Sequence, residues 1–179
     1  MSSDALAARC QALRLVLSDV DGVLTDGTLT FLPDGSETKS FHIKDGLGIV
    51  LAHRAGLRTG LVSGRSSEIV SRRAQELGMS FVKQGFSDKR QALGEILQSA
   101  QLKPHEVAYI GDDLNDLVIF REVGLSAAPA DAAYEARAEA FMVTDARGGH
   151  GCLREFIEAI LRARGDWDRA LAGLGLGPS

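Results

Sequence analysis

Leu13 to Leu17 is a short, almost wholly apolar run that stops at a turn-rich acidic loop, Asp19-Val20-Asp21-Gly22. A strand buried on both faces of a parallel sheet reads this way, because neither face leaves room for solvated side chains. Leu57 to Val62, Met79 to Lys83, Val107 to Ile110, Gly124 to Ala127 and Phe141 to Val143 repeat the pattern, most of them bounded by Gly, Ser or Asp. Helical stretches alternate with them: Gly46 to Ala55, Ser66 to Leu77, Asp88 to Ala100, Asn115 to Val123, Ala132 to Ala138 and Cys152 to Ala163, several with apolar residues three and four apart. Gly56 and Gly78 sit where C-terminal cap glycines belong, and Ser87 or Asp88 can cap the next helix through a side-chain oxygen. The expected fold is α/β, a doubly wound, Rossmann-like and mostly parallel sheet.

One segment breaks the alternation. Between residues 27 and 41 two alternating runs flank Pro33-Asp34-Gly35, a turn signal, so a β-hairpin is expected there. It follows the acidic loop directly and would stand over the carboxyl end of the first strand, where open α/β sheets bind ligands. The 179 residues suit one domain spanning 1–179, with a Gly-rich and mobile tail expected over 165–179.

Composition narrows the partners. An apolar share of 45%, a charged share of 25% and a net charge of -4 with scattered Lys and Arg give no footprint for nucleic acid or an anionic membrane. No stretch approaches the roughly 20 apolar residues that cross a bilayer, and the first residues lack the pattern of a signal peptide, so the expected compartment is the cytoplasm. Cys10 and Cys152, far apart and without metal-ligand spacing, read as free thiols.

The chemistry concentrates at the expected strand ends. Asp19 and Asp21 could project two carboxylates from the sheet edge, and Gly111-Asp112-Asp113-Leu114-Asn115-Asp116 could bring a further one. Such a set suits a hard cation, Mg²⁺, which is usually held by one or two carboxylates, waters and a substrate phosphate. Ser63, ending the strand Leu57 to Val62, and Lys89, starting a helix, supply the hydroxyl and compact cation that a phosphoryl group requires. Alone, Asp19 and Asp21 read as turn-forming acids, Ser63 as a strand-end hydroxyl and Lys89 as a solvated charge. Arg65 could meet a substrate carboxylate or merely start a helix.

DVDGVLTDG, VSGR, SDKR and GDDLND, in this order, resemble the haloacid dehalogenase superfamily of aspartate-based phosphatases over roughly Leu15 to Phe156. Within it, Phe41 to Gly48 and Arg147 to Glu155 resemble the branch acting on 3-deoxy-D-manno-octulosonate 8-phosphate in lipopolysaccharide precursor synthesis. The resemblance implies Asp19 as nucleophile and Asp21 as acid and then base, with burial and neighbouring charge keeping a proton on Asp21. It implies Asp19, the Asp21 carbonyl and Asp112 as Mg²⁺ ligands, Asp116 as an alternative ligand or a brace behind them, and Ser63 and Lys89 on the phosphoryl oxygens.

The short intervals between these motifs leave no room for a cap domain. The resemblance therefore implies a homotetramer in which hairpins assemble and a neighbouring subunit covers a small anionic sugar phosphate. Two other readings stand beside it: a phosphatase for a nine-carbon keto-sugar acid 9-phosphate, and a non-catalytic oligomerisation module, against which the intact carboxylate set argues.

Overall fold

A computed structural model describes residues 3–174. Six strands form one parallel sheet: β1 (Leu15–Ser18), β4 (Arg58–Val62), β5 (Phe81–Lys83), β6 (Val107–Ile110), β7 (Leu125–Ala128) and β8 (Met142–Val143). Their spatial order is β5-β4-β1-β6-β7-β8. The chain winds outward from β1 through β4 to β5, then crosses back to β6 on the other side of β1. That reversal opens a crevice at the carboxyl end of β1, the usual ligand position in such sheets.

Alternation along the strands splits the core in two. Val16, Leu61, Ala108 and Ile110 join Ile49 and Leu51 of α2 (Ile43–Arg54) and Phe156, Ile157 and Ile160 of α7 (Cys152–Arg164). Leu15, Leu17, Val62 and Tyr109 face the other way, against Leu93 and Ile96 of α4 (Lys89–Ala100) and Ile119 of α5 (Leu117–Phe120). Full burial of each large apolar side chain contributes roughly 1.5–3 kcal/mol, so both layers clamp β1. The helices α3 (Glu68–Glu76) and α6 (Tyr134–Glu139) complete the alternation.

All six expected strands and all six helices are present, with ends displaced by a few residues. Asn115 to Val123 divides into a 3-10 turn, Leu114–Asp116, followed by α5. Asp88 caps α4 by accepting the Arg90 N–H at 2.9 Å. The hairpin consists of β2 (Thr30–Phe31) and β3 (Glu37–Thr38), which pair with each other alone. No helix among the described residues is long and apolar enough to cross a membrane.

Two helices were not marked in the sequence. The N-terminal residues Ser3–Gln11 form α1, which packs on α7 and inserts Cys10, fully buried, into the core. The mobile tail expected over 165–179 contains α8 (Trp167–Ala172). Its Ala170 is buried, Arg169 donates to the Ala55 carbonyl at 2.7 Å, and the Arg162 guanidinium lies 4.2 Å from the centre of the Trp167 ring. Gly-rich composition hid a helix held by tertiary contacts; residues 175–179 lie outside the described part. Both cysteines are free and buried, and burial pushes the Cys10 thiol up to about 11.

Candidate active site

Register brings the motifs to one level. Ser18 of β1 aligns with Leu61 of β4 and Ile110 of β6, so the chain leaves all three strands together and delivers Asp19, Ser63 and the Gly111–Asp116 loop to one crevice. The Asp19 N–H donates to the Ile110 carbonyl at 2.9 Å, and its Oδ1 accepts the Val20 N–H at 2.6 Å. A Cβ on Gly22 would overlap the Asp112 carboxylate, so glycine is what lets the two acidic loops meet.

Behind Asp19 lies a buried polar cluster. Lys89 Nζ donates to Asp19 Oδ2 at 2.5 Å and to Asp116 Oδ1 at 2.6 Å. Tyr109 also donates its hydroxyl to Asp116 Oδ1, while Asp116 Oδ2 accepts the N–H groups of Asp112 and Asp113 at 2.9 and 3.1 Å. Asp116 therefore has both oxygens engaged and braces the loop. Burial opposes the Lys89 charge, but Asp19 and Asp116 outweigh it and raise the ammonium above its ordinary range.

The carboxylates nearest the crevice are under electrostatic stress. Burial pushes Asp112 up to about 8, with Asp19 and Asp116 adding to the shift. Burial likewise takes Asp19 to about 6 against the pull of Lys89. Asp112 Oδ1 is buried without a hydrogen-bond partner, and one oxygen from each of Asp19, Asp112 and Asp116 lies within 4.8 Å of the others. An all-oxygen set with an orphaned carboxylate oxygen fits a hard divalent cation.

Asp19, Asp21, Ser63, Arg65 and Asp112 all line the resulting cleft, as do Asp113 and Asn115. Ser63 is buried, and its hydroxyl accepts the Arg65 N–H at 3.2 Å. Arg65, in turn, donates to Glu37 of the hairpin at 3.0 Å, and its Nε lies 3.7 Å from Asp21 Oδ2.

Two cations stand beside Asp21: Lys39, whose ammonium donates to its Oδ1, and Arg65. The loop Arg147 to Gly151 is a brace. Gly149 donates to the Val23 carbonyl at 2.8 Å, and a Cβ on Gly148 would strike the Gly22 carbonyl. His42 caps α2, its Nδ1 accepting the Lys44 N–H at 3.3 Å.

Sequence reading passed over Glu37, Lys39, Thr25 and Tyr109. Thr25 is buried and donates to Asp21 Oδ1 at 3.3 Å. Glu37 and Lys39 carried a usable signal, since two charges spaced by two on a strand share a face. Tyr109 lay inside an apolar strand run and looked like core.

A haloacid dehalogenase-like hydrolase is the class that this sheet and its acidic loops define, and the model of that family matches residues 79–156. The chain is 38% identical over 170 residues to the 3-deoxy-D-manno-octulosonate 8-phosphate phosphatase of Escherichia coli, covering 95% of this chain and 90% of that one. The Moraxella catarrhalis phosphatase of the same name, solved with magnesium, phosphate and KDO, superposes with a TM-score of 0.92 at 36% identity, over 96% of this chain and 98% of that one. A cobalt-bound Haemophilus influenzae deoxy-D-mannose-octulosonate 8-phosphate phosphatase gives 0.86 at 38%, over 89% and 94%. This chain belongs to the 3-deoxy-D-manno-octulosonate 8-phosphate phosphatase family.

Proposed function

We propose that the protein hydrolyses 3-deoxy-D-manno-octulosonate 8-phosphate to the free sugar acid and phosphate in lipopolysaccharide precursor synthesis, with Mg²⁺ as its ion. The observation carrying this reading is the Asp19 carboxylate held at the crevice by Lys89 at 2.5 Å, with Asp112 and Asp116 converging on it, in a chain of this family.

In the first step an Asp19 oxygen attacks phosphorus, an aspartyl-phosphate forms, and the bond from phosphorus to the sugar oxygen breaks as Asp21 passes a proton to that oxygen. In the second, Asp21 takes a proton from water as the water oxygen attacks phosphorus, releasing phosphate and regenerating the Asp19 carboxylate. Ser63 and Lys89 bind and orient the phosphoryl oxygens, and Arg65 lies at the cleft mouth for the anionic sugar. Asp19, the Asp21 carbonyl and Asp112, braced by Asp116, would hold Mg²⁺, which supplies positive charge against the repulsion between carboxylate and phosphate.

The hairpin and the start of α2 expose Leu29, Phe31, Leu32, Ile43 and Leu47. Exposed apolar side chains on the hairpin support assembly through it, and we propose a homotetramer working in the cytoplasm. Phosphate release, with and without Mg²⁺, across 3-deoxy-D-manno-octulosonate 8-phosphate, a nine-carbon keto-sugar acid 9-phosphate and hexose phosphates tests the function. Preference for the octulosonate supports it; preference for the nine-carbon ester reassigns the substrate, and no turnover rejects an enzymatic role.

A further inference from the structure

The hairpin strands bond to no strand of the main sheet, yet the return strand is tied to the catalytic loop by charge. Lys39, immediately after β3, has a side chain only 1% exposed. Its ammonium donates to Asp21 Oδ1 and lies 2.8 Å from Glu37 Oε1. Glu37 Oε2 in turn accepts from Arg65 at 3.0 Å. A covered lysine with two carboxylate neighbours costs side-chain entropy and desolvation, so its place against Asp21 calls for a reason.

The two oxygens of Asp21 differ. Oδ1 takes both side-chain donors, Lys39 and the Thr25 hydroxyl at 3.3 Å. Oδ2 is buried, has no hydrogen-bond partner and belongs to a residue lining the cleft. With Oδ1 engaged from the hairpin side and from within the loop, rotation of the carboxyl group is blocked. Oδ2, with Arg65 Nε 3.7 Å away and no hydrogen bond, is left as the oxygen available to exchange a proton with a bound phosphate ester.

We propose that Lys39, held in place by Glu37, is a positioning residue for Asp21, fixing Oδ1 so that Oδ2 faces the leaving-group oxygen. The hairpin is then an arm of the acid–base machinery as well as a surface for assembly. This rests on the aspartate mechanism above, because a positioned acid matters only if the leaving oxygen must be protonated.

Leaving-group chemistry separates positioning from general damage. An alkyl phosphate expels a strongly basic alkoxide and depends on the acid, whereas p-nitrophenyl phosphate expels a stable phenolate and hardly does. With the full-length protein and Mg²⁺, Lys39→Met lowers kcat for 3-deoxy-D-manno-octulosonate 8-phosphate by about 10- to 100-fold, with little change in KM. Its pre-steady-state release of p-nitrophenolate, which precedes the hydrolysis step that Asp21 serves for both substrates, slows by no more than about threefold. Lys39→Arg, which keeps a donor cation, recovers most of the sugar-phosphate rate, and Glu37→Gln falls between the two.

Equal losses in the first-step release of the sugar and of p-nitrophenolate would overturn the proposal by making Lys39 a structural support. A rise in KM with unchanged kcat would overturn it by making Lys39 a direct substrate contact. Retained first-step release of p-nitrophenolate by Lys39→Met shows a folded site. Wild-type protein inactive on both substrates would instead sink the aspartate mechanism, and this inference with it.

Discussion

Lys89 Nζ lies 2.5 Å from Asp19 Oδ2, although 70 residues separate them in the chain. The contact couples the start of α4 to the end of β1 and places the cation behind the carboxylate that faces the cleft. Lys89 also holds Asp116. Replacing it by Met would leave two buried carboxylates without their counter-charge, at a stability cost of about 3–5 kcal/mol near neutral pH. Turnover should fall roughly 10²–10³-fold through loss of the cation that holds the Asp19 carboxylate at the cleft. Urea denaturation and steady-state kinetics on Lys89→Met measure the two effects, and an unchanged denaturation midpoint would contradict the first.

Asp112 is strained when no cation is bound, as burial and its carboxylate neighbours push it up to about 8. Asp112→Asn should therefore stabilise chelator-treated protein by roughly 1–2 kcal/mol at pH 7. The same variant should lose the stabilisation that Mg²⁺ gives the wild type, about 2.7 kcal/mol at a hundred times Kd. Thermal melts of both proteins with Mg²⁺ and with chelator read both signs. An Mg²⁺ response that survives in Asp112→Asn would remove this carboxylate from the cation site.

A pH effect should arise far from the carboxylates. His53, near the end of α2, pairs its Nε2 with the Thr59 hydroxyl at 2.7 Å, and burial lowers the imidazole below its usual 6.5. The folded chain takes up this proton less readily than the unfolded chain. The stability concerned is present above pH 6.5 and is lost as pH falls through the folded value. In denaturation series at falling pH, wild type should lose stability more steeply below 6.5 than His53→Gln; parallel curves would refute the assignment.

Much of this was readable from the chain, because in a parallel sheet local pattern and global position coincide. The run Leu13 to Leu17 can be buried on both faces only as a central strand, and the acidic loop that ends it must emerge at the carboxyl edge. Asp19, Ser63 and Asp112 meet for that reason: each follows a strand, and the strand ends are in register. What escaped depended on tertiary contact. Nothing local marks Tyr109 as a donor to Asp116, and the hairpin's Lys39 reaches Asp21 only because β2 and β3 fold back over the crevice. The helix α8 was hidden by glycine-rich surroundings, its order coming from Arg169 and Trp167 contacts with distant elements.

The central claim, that Asp19 is the nucleophile, is tested most directly by rapid acid quench of the Mg²⁺-loaded enzyme during turnover, followed by mass spectrometry of its peptides. One phosphoryl group is expected on the peptide containing Asp19, absent in Asp19→Asn, whose turnover collapses while its fold persists. An unmodified wild-type peptide together with sustained hydrolysis by Asp19→Asn would contradict it.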